Sequence, residues 1–355
     1  MKRILVINPG STSTKLAVFE DDKRVWEGGM HHPVDDLKEF QHVNEQYEYR
    51  NKAVRSLLSQ AHIPIKFDAV IGRGGLLKPT PGGVYVVDEL MKHDLLNATL
   101  EHACNLGALI ADDIAVEARC PAYIADPEVV DEMMDEARLT GIPEISRLSV
   151  FHALNSKAVS RRYAASVGKP YADLNLIVAH LGGGISVGAH RRGRVVDVNN
   201  ALNGDGPFTP ERAGTIPADQ LAELCFSGKY TLREIKKMLN GKGGLAAHLG
   251  VTDMLSITHK AESKEEPFKS VLDSMIYNVA KEIGSRSVAL KGDVDAIILT
   301  GGIAHSHYFV DHLKEWIGYI APVVLMPGED EMASLAENAL RALRGEAEVQ
   351  LYRPQ

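Results

Sequence analysis

The sequence has 355 residues, of which 45% are hydrophobic and 24% are charged, and its formal net charge is −8 at pH 7. This length exceeds what one hydrophobic core normally supports, so we expect two α/β domains. The acidic balance argues against a nucleic-acid-binding protein, and no apolar run reaches the roughly 20 residues that cross a bilayer. Cys104, Cys120 and Cys225 are widely spaced and odd in number, which predicts free, reduced thiols in a cytoplasmic protein.

The N-terminal half is predicted to begin with three antiparallel strands. Apolar runs at 4–7, 16–19 and 25–30 are separated by short polar turns that leave no room for a helix. The later elements predicted for this half are a helix near the end of 33–60, strands at 69–72 and 84–87, a helix in two pieces at 90–117, a strand at 121–124 and a helix at 128–137.

The C-terminal half follows a polar boundary near 140–147 and repeats this plan. A helix at 150–165 precedes three further strands, and strand, turn, strand, turn, strand twice in one chain indicates an internal duplication. The elements predicted here are strands at 176–179, 185–189 and 195–198, an irregular loop at 199–217, helices within 221–249 and at 269–290, strands at 294–300 and 323–326, and a final helix near 332–343.

Three polar, glycine-bearing turns follow apolar strands, and such turns allow backbone N–H groups to approach an anion. Neither a Walker A loop nor a G-x-G-x-x-G fingerprint occurs, and a turn rich in Ser and Thr can also be an ordinary surface turn. We nevertheless interpret the three turns as sites for a nucleotide held between two similar half-domains. Their candidate residues are Asn8, Ser11, Ser13 and Lys15 in the first turn, Gly182, Gly183 and Gly184 in the second, and Gly301 and Gly302 in the third.

Charged side chains near these turns are candidates for chemistry. His180 ends a strand, where it could donate to developing negative charge, although a lone histidine is more often structural. Arg73 precedes two glycines and could bind a carboxylate through two parallel hydrogen bonds. Arg212 lies in the irregular loop, where an arginine is more often only solvated. Glu331 belongs to an acidic run that could begin the last helix or supply a carboxylate to Mg²⁺.

Seven motifs in this order resemble the acetate and propionate kinase family of the acetate kinase, sugar kinase, chaperone and actin superfamily. They are VINPGSTSTKLAVF near the N-terminus, GRGGLLKPTPGG at 72–83, HACNLGALIA at 102–111, FHALNSKAV at 151–159, AHLGGGISVGAHRRGRVVDVNNA at 179–201, GDGPFTPERAG at 204–214 and DAIILTGGIAHS at 295–306. The resemblance covers essentially the whole chain. It implies an α/β fold of two duplicated ribonuclease H-like (actin-like ATPase) domains with a nucleotide cleft between them.

The resemblance also implies domain limits and residue roles. Residues 1–147 plus 333–355 would bind the acyl substrate and carry the first phosphate motif, and 148–332 would carry the second phosphate motif and the adenosine motif. Arg73 and Arg212 match the family's two active-site arginines, and Glu331 matches its acidic metal partner. Acetate kinases have an aspartate shortly before the Phe-His of the hinge helix. In this sequence that aspartate is absent, since 147–152 contains no acidic residue. Asp126, at a strand end, is a candidate substitute.

The reaction implied is ATP + butanoate ⇌ ADP + butanoyl phosphate, with Mg²⁺ and in-line phosphoryl transfer. Arg73 would hold the carboxylate, and Arg212 and His180 would contact the transferring group. Isobutyrate is an alternative acid, and a non-metabolic actin-like or chaperone-like ATPase is an alternative class that has no evident use for these three residues. A sugar kinase would need a carboxylate base, which the sequence does not place. We expect a small carboxylate as partner, no nucleic-acid or membrane partner, and a homo-oligomer of two or more chains.

Overall fold

The computed structural model describes residues 1–98 and 101–354, which form two compact units. Unit 1 comprises Met1–Asp131 and Asp330–Gln355, and unit 2 comprises Glu132–Glu329. Each unit contains one β-sheet with helices packed against it. Among the described residues, no helix has both the length and the apolar character that a membrane span requires.

The strands and helices are numbered in chain order. The strands are β1 (Arg3–Pro9), β2 (Ser13–Glu20), β3 (Lys23–His31), β4 (Ala69–Gly72), β5 (Val84–Val86), β6 (Ala122–Ala125), β7 (Asn175–Leu181), β8 (Ile185–Arg191), β9 (Arg194–Val198), β10 (Ala296–Gly301), β11 (Val323–Pro327) and β12 (Val349–Gln350). The helices are α1 (Val34–Leu37), α2 (Tyr47–Gln60), α3 (Glu89–Leu96), α4 (Asn105–Ala118), α5 (Asp135–Arg138), α6 (Ala153–Ser166), α7 (Ala218–Phe226), α8 (Leu232–Leu239), α9 (Gly244–Leu249), α10 (Met254–Glu262), α11 (Phe268–Ala289), α12 (His307–Ile317) and α13 (Glu331–Leu343).

The sheet of unit 1 has the strand order β12-β5-β6-β4-β1-β2-β3 in the described part of the chain. The first three strands are antiparallel to one another, as predicted, and β4 pairs with β1 in parallel. Leu5 and Ile7 of β1 pack in one core cluster with Leu106 and Ile110 of α4. The apolar runs therefore form the central strands because helices cover them, whereas β3 lies at the edge and alternates between exposed and half-buried residues.

The sheet of unit 2 has the order β11-β10-β7-β8-β9 in the described residues. The strand directions in this order match those of the segment β6-β4-β1-β2-β3 of unit 1. In both units three strands form an antiparallel meander, and two further strands pair in parallel beside the first of them. Ile177 and Leu299 pack against helix α11, and the alternate residues Leu176 and Ile298 pack with Val159 of α6. The two sheets thus share one topology, as the predicted duplication requires.

The helix predicted at 128–137 is wrong, because only Asp135–Arg138 is helical in this segment. The Asp131 N–H donates to the carbonyl of Thr80 at 2.9 Å. The Glu132 carboxylate binds Lys157 Nζ at 3.0 Å and accepts the Val195 N–H at 2.7 Å. These tertiary partners hold the segment extended although its composition favours a helix.

The boundaries between the compact units lie at 131/132 and 329/330, whereas the predicted domain limits lie at 147/148 and 332/333. Residues 132–147 belong to unit 2, where the Met134 N–H donates to the Val196 carbonyl at 2.9 Å and Arg147 binds Asp197 at 2.9 Å. Residues 330–332 belong to unit 1, where Glu331 accepts a hydrogen bond from Asn8. The ligands assigned to each domain stay predictions.

Candidate active site

The first glycine-bearing turn connects β1 to β2 in unit 1. The Gly10 N–H donates to the Ser13 carbonyl at 2.7 Å and closes the turn. Ser11 is exposed at its tip, and the exposed Lys15 side chain makes no ion pair with the described residues. Asn8 Nδ2 donates to Glu331 Oε2 at 2.7 Å, so the turn is tied to the start of α13. Candidate phosphate-binding and metal-binding residues are therefore neighbours in unit 1.

Arg73 follows β4, and its side chain is only 11% exposed. The chain runs close to α4 here, since a Cβ on Gly72 would overlap the backbone of Gly107. Arg73 Nη2 and Nε lie 2.6 Å and 3.2 Å from Glu128 Oε1, and Nη1 binds Glu331 Oε1. Burial lowers the pKa of Arg73, but the two carboxylates raise it above its ordinary value. The guanidinium is therefore charged and held in one orientation.

His180 is the penultimate residue of β7 in unit 2. Two residues that contact it, Asn155 and His152, were not among the candidates predicted from the sequence. Asn155 Nδ2 lies 2.9 Å from His180 Nδ1, and the His152 ring stacks on the His180 ring with centroids 3.8 Å apart. Because an amide nitrogen can only donate, Nδ1 accepts this hydrogen bond, which leaves Nε2 as the donor of the ring. Nε2 lies 3.4 Å from Glu329 Oε2. The motif FHALNSKAV contains both missed residues and was the available signal.

Arg212 packs directly on the second glycine-bearing turn. A Cβ on Gly184 would overlap the Arg212 guanidinium, which explains why glycine occupies this position. Nη1 donates to the Ala201 carbonyl and Nε to Asn240 Oδ1 at 3.3 Å, but no carboxylate pairs with Arg212 in the described chain. Burial lowers the pKa of Arg212. The alternative of a merely solvated loop arginine does not fit these contacts.

The third turn, at Gly301-Gly302, follows β10, which lies beside β7, the strand that leads into the second turn. Gly301 has φ +85°, and a Cβ there would overlap the Leu181 carbonyl. Gly301 and Gly328 exchange backbone hydrogen bonds of 3.1 and 2.9 Å. Asn155 Nδ2 also donates to Thr300 Oγ1 at 3.1 Å, so one amide contacts both β10 and His180. Unit 2 therefore brings His180, Arg212 and two glycine turns into one cluster.

The two metal candidates lie in different surroundings within unit 1. Asp126 is 1% exposed, and its Oδ1 accepts the Gly83 N–H at 2.8 Å, which commits it to holding a turn. The Glu331 side chain is 32% exposed and contacts Asn8 and Arg73. No group of three or more His, Cys, Asp or Glu side chains in residues 1–98 and 101–354 could hold a metal ion by itself.

Comparisons with known proteins agree with the motifs. The sequence profile of the acetokinase family matches residues 141–315. A protein named probable butyrate kinase from Phocaeicola vulgatus is 73% identical over 353 residues, which cover 99% of this chain and 100% of that protein. The chain belongs to the acetokinase family. Butyrate kinase 1 of Clostridium acetobutylicum is 47% identical over 355 residues, with 99% of this chain and 100% of that protein covered.

A solved structure supports the fold of this acetokinase family member. The crystal structure of Porphyromonas gingivalis acetate kinase matches with a TM-score of 0.80 at 17% identity, covering 97% of this chain and 100% of that one. The family and the α/β fold of two duplicated actin-like domains, both predicted from the sequence motifs, are confirmed.

Proposed function

We propose that this acetokinase family member catalyses ATP + butanoate ⇌ ADP + butanoyl phosphate by direct in-line phosphoryl transfer. It is a carboxylate kinase that uses ATP as its phosphoryl donor. Agreement over the whole chain with proteins named butyrate kinase is the observation that carries the choice of butanoate. Isobutyrate is the alternative acid, and the non-metabolic ATPase is not favoured.

The chemistry needs no general base. A carboxylic acid has an unperturbed pKa of about 4, so the substrate is already a nucleophilic carboxylate at neutral pH. One carboxylate oxygen forms a bond to the γ-phosphorus while the bond from that phosphorus to the β–γ bridging oxygen breaks and ADP leaves. Catalysis then requires positioning and stabilisation of charge on the transferring group.

The three predicted catalytic residues suit these tasks. Arg73 would bind the substrate carboxylate, and its ion pairs with Glu128 and Glu331 support this role because they keep the guanidinium charged and fixed in orientation. Arg212 would contact the equatorial oxygens, since its charge has no carboxylate partner in the described residues. His180 would donate from Nε2. Each such donor is worth about 3–4 kcal/mol in a transition state.

The three turns would hold the nucleotide. Asn8, Ser11, Ser13 and Lys15 in the first turn and Gly182–Gly184 in the second would contact phosphates. Gly301 and Gly302 would lie against the adenosine, and the exposed Gly302 has open space where a Cβ would stand. These assignments rest on the family motifs and, for Gly183 and Gly302, on the open space where a Cβ would stand.

Glu331 fits a magnesium ligand better than Asp126 does. Mg²⁺ in kinases is commonly held by one or two carboxylates together with substrate phosphates and water, so a cluster of three protein ligands is not required. Glu331 is accessible and oxygen-donating, whereas the Asp126 carboxylate is buried and bound to Gly83. When bound, Mg²⁺ would neutralise phosphate charge. Both residues stay candidates.

We also propose a cytoplasmic homo-oligomer of two or more chains that needs no nucleic-acid or membrane partner. The supply of ATP inside cells and the three free cysteines are consistent with this location. We retain the proposed roles of the two halves, with acyl and first-phosphate binding in the N-terminal half and second-phosphate and adenosine binding in the other.

A hydroxylamine trap tests the proposed reaction. Acyl hydroxamate would be measured with ATP and Mg²⁺ and with acetate, propionate, butyrate, isobutyrate or no acid. We expect the highest kcat/KM with butyrate. A higher value with isobutyrate would select the branched acid, and ATP hydrolysis that ignores every acid would restore the ATPase alternative.

A further inference from the structure

A buried arginine lies behind the first turn. Arg50 belongs to α2, and its side chain is 0% exposed. Nη1 donates to the carbonyls of Gly10 at 2.9 Å and Ser13 at 3.1 Å, and Nη2 donates to the carbonyl of Ser11 at 2.9 Å. Thr14 Oγ1 lies 3.2 Å from Nη1, and Gln46 Oε1 lies 3.0 Å from Nε. The guanidinium is thus surrounded by the turn that is proposed to bind phosphate.

All of these acceptors are neutral. Arg50 makes no ion pair with a carboxylate in residues 1–98 and 101–354, and burial lowers its pKa. A buried charge without a counter-charge is costly, and proteins normally pair it or replace it with an apolar side chain. The positive charge at this position is therefore left for an anion from outside the chain.

The same hydrogen bonds orient the backbone of the turn. Arg50 binds the carbonyls of Gly10, Ser11 and Ser13, and the His32 N–H binds the Thr12 carbonyl at 2.8 Å. Within the described chain, the N–H groups of Ser11 and Thr12 have no hydrogen-bond partner, and both residues are exposed. Successive unbonded N–H groups in a turn form an anion-binding concavity. The N–H groups of Ser11 and Thr12 are therefore the donors that a bound phosphate would use.

We propose that Arg50 is a positioning residue for the nucleotide's phosphates, which holds the first turn by its carbonyls and adds an uncompensated positive charge behind it. This inference rests on the proposed function, since it takes the turn of Asn8–Lys15 as a phosphate site. Arg50 would orient the turn by its hydrogen bonds and attract the phosphates electrostatically, without itself contacting the nucleotide. A structural brace alone would not require a charge, because a neutral donor could also bind carbonyls.

The test measures binding of AMP, ADP and ATP to the full-length Arg50→Gln, Arg50→Lys and wild-type proteins by calorimetry. The affinity lost in Arg50→Gln should increase with each phosphate and reach about tenfold or more for ATP, because the missing charge acts on the phosphates. Arg50→Lys keeps the charge and should recover most of the ATP affinity. In the hydroxamate assay, the KM for ATP should rise in Arg50→Gln while the KM for the carboxylate stays within about twofold.

Arg55→Gln is the matched control, since Arg55 lies on the same helix and pairs with Glu117 at a partly exposed position. It should bind all three nucleotides as the wild type does. An equal loss for AMP and ATP, or a Lys variant as weak as the Gln variant, would overturn the proposal. If Arg50→Gln does not fold, Arg50→Lys decides, because a folded Lys variant without ATP affinity contradicts a role for the charge. Wild-type protein that binds ATP but forms no acyl hydroxamate refutes only the proposed reaction.

Discussion

At the scale of single residues, the arginines of the candidate site differ in whether a carboxylate balances their charge. Arg73 is paired with Glu128 and Glu331, whereas Arg50 and Arg212 bind neutral acceptors in the described residues. Paired carboxylates fix the orientation of Arg73 and keep it charged. The other two retain an attraction for anions, and transfer of a highly charged phosphoryl group from ATP depends on such donors.

Arg212→Ala should reduce turnover at least about a hundredfold with little change in melting temperature, because it removes a charge from the transition state rather than a core contact. Gly184→Ala should reduce turnover in the same direction, since its Cβ would displace the guanidinium. Turnover is measured by hydroxamate formation. The exposed Arg233→Ala in α8 is the control and should be unaffected. Near-normal turnover of Arg212→Ala would remove its assigned role.

At the scale of elements, each candidate turn is a connection that follows a central strand. The turns after β1 and β7 stand at the same point of the duplicated meander, so both present backbone N–H groups beyond the end of a strand. The apolar runs in the sequence predicted β1 and β7 correctly, because both strands are buried on both faces. The same reasoning failed at 128–137, where Glu132 and its buried partner Lys157 override helix propensity.

Lys157→Met should destabilise unit 2 by about 3–5 kcal/mol, because the Glu132 carboxylate would be left buried without its cation. The double variant Lys157→Met with Glu132→Gln should recover part of this loss, since no unpaired charge remains. Urea unfolding followed by circular dichroism measures both. The exposed Lys169→Met serves as the control. A loss for Lys157→Met no larger than that of the control would contradict a stabilising role for the pair.

At the scale of the whole molecule, each unit has its own sheet and core, and each contains a histidine that is 0% exposed. His32 of unit 1 binds Thr14 Oγ1 at 2.8 Å, next to the first turn. His190 of unit 2 binds Tyr171 Oη at 2.6 Å. Burial and neighbouring cations lower the pKa of His32 to about 4 and that of His190 to about 3. Both rings are therefore neutral in the folded protein at physiological pH.

Stability should fall as the pH decreases from about 6.5 toward 4, because the unfolded chain then binds protons that the folded chain excludes. Each buried histidine contributes a slope of up to about 1.4 kcal/mol per pH unit in this window. Melting temperatures measured from pH 7.5 to 5 should show this decrease, and His190→Gln should reduce its steepness. The exposed His259→Gln should leave the slope unchanged. An unchanged slope in His190→Gln would refute the assignment.

The sequence by itself determined the strands β1–β11, the three glycine turns, the duplication and the family, because these depend on residues that are neighbours in the chain, whereas the two-residue strand β12 was not predicted. Tertiary structure alone decided the partners of Arg50, Arg73 and His180. Asn155 and His152 meet His180 across some 25 residues or more, and Arg50 meets the first turn across about 40. Periodicity and motif spacing carry no information on such distant contacts, since packing of the sheet and helices creates them. The charge balance of each arginine therefore became visible only in the folded chain.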